Sequence, residues 1–290
     1  MTTADAIESI AYVRQGTAEL SLDLFRPGDG GNGTAVLIFH GGGWRAGAKE
    51  LVHERAAALA AAGFTAAAVQ YRLLDAAPWP APLADASAAL AWVRDNASKL
   101  QVDPAKVVVQ GHSAGGHIAL MTGTLGGAER PAAIVAYYPA VGFHRAPRPV
   151  AAAGGADPVP PLPLPVDELG RIPDWMLFPP GVSQADLDAA SPITLADATF
   201  PPVLLFHGTA DSAIPFPASA SLHGRLIELG VPSELHVYAD RDHEFDMAPS
   251  MRQATVAVTT SFLQRLVVRP DESAAEARRY AFPPSTEAPG

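Results

Sequence analysis

Residues 106–121 read KVVVQGHSAGGHIALM, and this stretch decides the fold. Its first part, KVVVQ (106–110), is a short run of β-branched residues, as expected of a strand buried on both faces. The small and apolar residues after Ser113 open a helix. Between the two lies Gly111-His112-Ser113-Ala114-Gly115, a G-x-S-x-G pentapeptide. A sharp strand-to-helix turn crowds its own backbone, and glycine avoids the clash because it has no Cβ. Such a turn lifts the Ser113 hydroxyl to the carboxyl end of a sheet. The helix N-terminus beneath it favours developing negative charge. Alone, the pentapeptide could equally be a glycine-rich turn that packs a helix close to a sheet, so its surroundings must decide.

Moving outward, the strand signals recur. AELSLDLF (18–25) puts Leu20, Leu22 and Leu24 on one face, as in a half-buried strand. AVLIF (35–39), AAAVQY (66–71), AAIVAYY (132–138), VLLFH (203–207) and ELHVY (234–238) continue the series. Helical stretches fall near 50–62, 83–95, 218–229 and 251–267. In the second of these, Leu83, Ala86, Leu90 and Val93 stand at helical spacing. Short buried strands alternating with helices predict an α/β fold, a mostly parallel central sheet covered by helices on both faces.

Two segments break this pattern. Residues 145–182 hold ten of the 28 prolines. Proline rigidity makes them an unexpected core element, so they read as an excursion from the sheet, a cap or lid. Residues 269–290 are polar and proline-containing, and read as a C-terminal tail, partly disordered or docked on the surface. The expected organisation is one α/β domain over 1–268 with a cap insertion at 145–182, followed by that tail.

Composition limits the function classes. At 48% hydrophobic and 17% charged residues, the chain can bury a large core. Its formal net charge of −10 offers no electrostatic footing for nucleic acid or anionic lipid. The absence of cysteine removes disulfides, a thiol nucleophile and thiolate metal sites. MTTADAIESI lacks a basic stretch followed by an apolar run, and no 18-residue apolar segment occurs, so a cytoplasmic protein without membrane attachment is expected. Neither H-E-x-x-H nor a P-loop is present, and Gly30-Gly31-Asn32-Gly33 precedes a strand rather than following one. No metal and no cofactor are implied.

Three further motifs follow predicted strands. His40-Gly41-Gly42-Gly43-Trp44 follows AVLIF, and a glycine run there lets backbone N–H groups approach a developing oxyanion. The expected donors are the N–H groups of Gly42, Gly43 and Ala114, with Gly41 as a substitute. His207-Gly208-Thr209-Ala210-Asp211 follows VLLF and brings a carboxylate to the sheet edge that carries Ser113. Arg241-Asp242-His243-Glu244-Phe245 follows the last strand. Asp240, Asp242 and Glu234 rival Asp211 as the acid, but the two aspartates sit too near His243 in sequence to reach its ring from the required side. His40 and His207 end strands and are expected to pin loops. His112, inside the turn, either packs or touches substrate, and His117 packs behind it.

HGGGW (40–44), YRL (71–73), GHSAGGH (111–117), ASP (190–192), HGTAD (207–211) and DHEF (242–245) together resemble bacterial esterases of the α/β-hydrolase superfamily. The similarity is to hormone-sensitive-lipase-like carboxylesterases and, more closely, to BD-FAE-type esterases and kynurenine formamidases. It covers roughly residues 20 to 265, and the proline-rich segment departs from it. The resemblance implies the α/β-hydrolase fold, a Ser113–Asp211–His243 triad and an oxyanion hole from the glycines after His40. The order of the three residues along the chain is that of the superfamily.

The expected function is hydrolysis of a small or medium, mostly neutral carboxylic ester through an acyl-enzyme on Ser113. Amide or formamide cleavage, or acyl transfer, would use the same residues. A non-catalytic binding protein of this fold would need a defective triad. Trp44, Trp175 and Phe178, with Trp79 and Phe143, are placed in loops that could contact substrate. Oligomeric state is left open, a homodimer being one option.

Overall fold

The computed structural model describes residues 7–15, 18–28, 31–149 and 162–281. Its ten strands and nine α-helices among those residues follow in this order. β1 (Glu8–Gln15), β2 (Ala18–Phe25) and β3 (Ala35–Phe39) precede α1 (His53–Ala61) and β4 (Thr65–Val69). α2 (Ala81–Asp95) and the short α3 (Ala97–Leu100) lead to β5 (Val107–His112), α4 (Ala114–Thr122) and β6 (Ile134–Tyr137). Two-residue strands β7 (Phe143–His144) and β8 (Ile172–Pro173) come next, then α5 (Gln184–Ala189) and α6 (Pro192–Leu195). β9 (Val203–Gly208), α7 (Pro217–Glu228), β10 (Ser233–Tyr238), α8 (Pro249–Leu263) and α9 (Pro270–Arg279) complete the chain.

Eight strands form one sheet in the order β1-β2-β4-β3-β5-β6-β9-β10. β1, β2 and β4 pair antiparallel, and every neighbour from β4 to β10 pairs parallel. All five residues of β3 are buried. Leu37 and Phe39 pack on one side and Val36 and Ile38 on the other. That alternation shows why a continuous apolar run was needed, since both faces of a central parallel strand meet helices. α2, α4 and α7 cover the first face through Leu90, Ile118 and Leu222. α1 and α8 cover the second through Leu59 and Phe262. No helix among the described residues is long and apolar enough to cross a membrane.

Two segments show more than their sequence suggested. Leu164, Ile172, Leu177 and Phe178, all from the proline-rich segment, are buried in the first core face. Proline keeps this stretch out of the sheet's ladder but does not keep its aliphatic side chains out of the core. Residues 150–161, the middle of the expected cap, lie outside the described residues. The expected tail carries α9, with Pro270 at its first turn, Asp271 and Glu272 beside it, and Arg278 and Arg279 in the last turn. Those charges complement the helix dipole. Residues 282–290 of that tail lie outside the described residues.

Polar groups buried at the sheet edge fasten the segment after the glycine loop. Lys49 donates to Asp23 Oδ1 at 2.6 Å and to the hydroxyls of Ser21 and Ser9 at 2.7 and 2.9 Å. His53 Nε2 reaches Asp23 Oδ2 at 2.8 Å. Burial alone would raise the pKa of Asp23, but the bonds from Lys49, Ser9 and His53 outweigh it and lower it.

Candidate active site

β5 ends at His112, and α4 begins at Ala114, so Ser113 alone makes the turn. Its backbone takes φ 52° and ψ −116°, a conformation that side chains with a Cβ rarely adopt. It is held there from both sides. The Ser113 N–H donates to Tyr137 O at 2.9 Å, and the His117 N–H donates to Ser113 O at 3.0 Å. A Cβ on Gly115 would stand 2.2 Å from Phe39 O and 2.4 Å from His40 O. Glycine there is what lets α4 approach the end of β3, and so brings the elbow beside the glycine loop.

The structure brings Ser113, His243 and Asp211 together across 130 residues of chain. Ser113 Oγ lies 3.0 Å from His243 Nε2. His243 Nδ1–H donates to Asp211 Oδ2 at 2.8 Å and lies 3.1 Å from Oδ1. Since the carboxylate accepts at Nδ1, Nε2 is free to accept from the serine hydroxyl. Asp211 Oδ1 also accepts the N–H groups of Ala213 and Ile214 at 2.9 and 2.8 Å. His207 stands 3.4 Å from Oδ2. Burial favours the protonated acid, but these bonds, His207 and His243 foremost, hold Asp211 well below the usual carboxylate range. His207 is itself pinned to Ser219 Oγ at 2.7 Å and Ile214 O at 2.9 Å, as its place at a strand end suggested.

The rival acid Asp242 does not touch the imidazole. Its Oδ1 accepts the N–H groups of Ser212 and His243, both at 2.7 Å. It therefore ties the loop of His243 to the loop of Asp211.

The loop after His40 is a run of left-handed residues, with φ 116° at Gly42, 60° at Gly43 and 61° at Trp44. A Cβ on Gly42 would meet Ala46 O at 2.1 Å, so only glycine fits this turn. The Gly42 carbonyl accepts from Arg45 and Ala46. Among the described residues, the N–H groups of Gly41, Gly42, Gly43 and Ala114 donate to no backbone carbonyl. Gly41 packs directly on the elbow, its Cβ position 3.3 Å from Ser113 Cβ. Unspent donors beside a nucleophile are what an oxyanion site requires.

Of the residues expected to contact substrate, His112, Trp44 and Phe178 are buried and Trp175 is half-buried. His112 is buried, stacked on Tyr137 with ring centroids 4.5 Å apart. Its place on β5 turns it to the α1–α8 side of the sheet, where it packs on Tyr137. Trp44 is also buried, packed on His117 and Phe143 at 5.3 and 5.8 Å. Phe178 is buried against Phe143 at 5.8 Å. Trp175 is half-buried, and its indole N–H has no acceptor among the described residues. Among the described residues no cluster of three or more His, Asp or Glu side chains is arranged to hold a metal ion.

His117, expected to pack, lies at the centre of this aromatic group. Its Nε2–H donates to Ala190 O at 2.8 Å, and burial lowers its pKa to about 4. Above pH 6.5 the ring is neutral folded or unfolded, and contributes no pH slope. Between pH 6.5 and about 4 the unfolded chain takes up a proton that the folded chain refuses. Stability therefore falls as pH falls, by roughly 3 kcal/mol in all. In urea unfolding across this window, His117→Phe should lose that part of the slope. Equal slopes in variant and wild type would show that another group is responsible.

Sequence reasoning missed Arg55, Tyr138 and Asp246, which meet beneath these loops. No motif marked them, since each is polar only in a context that the fold creates.

A family model described as alpha/beta hydrolase fold matches residues 36–247. LipM of Mycobacterium tuberculosis, named a probable carboxylic ester hydrolase, is 30% identical over 86% of this chain and 58% of its own length. A non-reducing polyketide synthase of Penicillium brasilianum, prhL, is 25% identical over 84% of this chain and 13% of its own length. The chain thus spans between 13% and 59% of the first curated relatives it matches. Among solved structures, Thermogutta terrifontis esterase 2 phosphonylated by sarin superposes with a TM-score of 0.73 at 26% identity. That match covers 90% of this chain and 95% of the other.

Proposed function

The chain belongs to the α/β-hydrolase family, and on that premise we propose that it is a serine carboxylesterase with Ser113 as nucleophile, His243 as base and Asp211 as the orienting acid. The observation that carries this reading is the unbroken hydrogen-bonded line from Ser113 Oγ through His243 to Asp211, at 3.0 and 2.8 Å, beside unspent loop N–H groups. Relatives named as esterases support the reaction class.

In the proposed mechanism His243 Nε2 takes the hydroxyl proton as Ser113 Oγ attacks the ester carbonyl. The carbonyl oxygen becomes an oxyanion, held by N–H groups of Gly42, Gly43 and Ala114. As the intermediate collapses, the C–O bond to the alcohol breaks and His243 gives the alcohol its proton. Water, deprotonated by His243, then clears the acyl group and restores Ser113. Asp211 stays ionised throughout and stabilises the imidazolium.

The proposed substrate is a neutral ester of small or medium acyl chain. The support is the number of aromatic residues, Trp44, Trp79, Phe143, Trp175 and Phe178, that the sequence sets in the segments around the catalytic edge. We read 1–268 as the catalytic unit and 145–182 as a cap over it.

A phosphonate probe and a panel of acyl esters, amides and thioesters test this reading. Labelling at Ser113 with turnover of short neutral esters is expected. Adding a competing alcohol separates hydrolysis from acyl transfer by the product formed. No labelling at Ser113 would favour a non-catalytic role instead.

A further inference from the structure

A buried polar unit lies on the α1–α8 side of the sheet, beneath the loops of the nucleophile and the base. Asp246, fully buried, is three residues past His243. Its Oδ2 accepts from Arg55 Nη2 at 2.6 Å, and its Oδ1 accepts from the Tyr138 hydroxyl. Arg55, buried on α1, also donates to Tyr137 Oη at 2.8 Å and Thr255 Oγ1 at 3.2 Å. His112 Nε2 stands 3.3 Å from Asp246 Oδ2, close enough for attraction but angled off a hydrogen bond.

Each member is tied to a reacting group. The ring of Tyr138 packs against that of His243, with centroids 4.4 Å apart. The carbonyl of Tyr137 accepts the N–H of Ser113 itself. His112 precedes Ser113 in the chain. Tyr138 holds φ 35°, a left-handed conformation uncommon for a bulky residue. Its own N–H donates to Phe206 O at 2.7 Å, which fixes that strained turn to β9.

Burying an ion pair is costly, and apolar residues of similar volume often serve stability as well or better. Stability therefore does not account for a charged group at this position. The unit has direction instead: it joins α1, the end of β6 and the loop of the base at one carboxylate. We propose that Asp246, with Arg55 and Tyr138, is a positioning unit that fixes the His243 ring against Ser113. This rests on the hydrolase reading above. Asp246 touches no reacting atom. It acts through Tyr138, whose ring is the packing surface of the base.

The test compares kcat and KM on a short aryl ester, per active site titrated with a phosphonate, alongside the melting temperature. Tyr138→Phe removes the hydroxyl and keeps the ring. Asp246→Asn keeps the shape and removes the charge. Each is expected to lower kcat about tenfold with KM within twofold. The double variant Arg55→Met/Asp246→Leu replaces the ion pair with apolar groups. Where it keeps the wild-type melting temperature, kcat is expected to stay low. Wild-type kcat in that double variant, or in Tyr138→Phe, would overturn the proposal and leave the hydrolase reading intact. If Asp246 variants fail to fold, Tyr138→Phe alone decides. A wild-type chain that neither labels at Ser113 nor cleaves any ester would overturn the hydrolase reading, and this proposal with it.

Discussion

Ser113→Ala is expected to lower turnover of a short aryl ester by on the order of 10⁵–10⁶, because the nucleophile and its base act as one unit. The fold should be unaffected. Alanine keeps the Cβ, and both backbone bonds of the turn, to Tyr137 O and from His117 N, do not involve the side chain. A second substitution at the same position separates chemistry from strain. Ser113 sits at φ 52° and ψ −116°, and a Cβ in such a region costs of order 1–3 kcal/mol. Ser113→Gly should be equally inactive yet about 1 kcal/mol more stable than Ser113→Ala in denaturant unfolding. Activity in Ser113→Ala within tenfold of wild type would place the nucleophile elsewhere. A glycine variant less stable than the alanine variant would show that the turn is not strained.

Asp211→Asn is expected to lower kcat by about 10⁴. The reason lies in the neighbours of Asp211. Its Oδ1 accepts the N–H groups of Ala213 and Ile214. An asparagine would keep its carbonyl oxygen on those two donors, and so turn its NH₂ toward His243 Nδ1. A donor there makes Nδ1 the acceptor and moves the ring proton to Nε2. Nε2–H cannot take the proton of Ser113. Asp242→Asn should stay within about threefold of wild type. Its Oδ1 accepts backbone N–H groups alone, and an amide oxygen does the same. Kinetics of the two variants on one ester decide between them. A large loss in Asp242→Asn with near-normal Asp211→Asn would move the acid.

Much of the architecture is legible in the sequence because the relevant forces are local. β2 and β3 occupy the stretches that their alternation and apolar runs predicted, Ala18–Phe25 and Ala35–Phe39. The remaining predicted strands differ at their ends by one or two residues, where hydrogen-bond ladders rather than hydropathy set the boundary. β1 escaped notice for a physical reason. Its register shifts between Ala11 and Val13, and that irregularity breaks the alternation by which a strand is recognised. The segment around α9 was read as a tail because it has no apolar stripe, although its proline start and its charge order are those of a helix.

The candidate site divides along the same line. Legible in the residues alone are the strand–turn–helix around Ser113, the glycine loop, and Asp211 and His243, each just past a strand end. These are short-range features, set by steric limits on φ and by residue spacing. Only the assembled fold sets His112 against Tyr137 on the α1–α8 side of the sheet. Only it joined Arg55 to Asp246, 191 residues away, and placed Tyr138 under His243. Such partners carry no local signature. A charged residue in the core is tolerable only once its counter-charge has been folded against it, and that condition exists in the assembled chain and nowhere in the sequence.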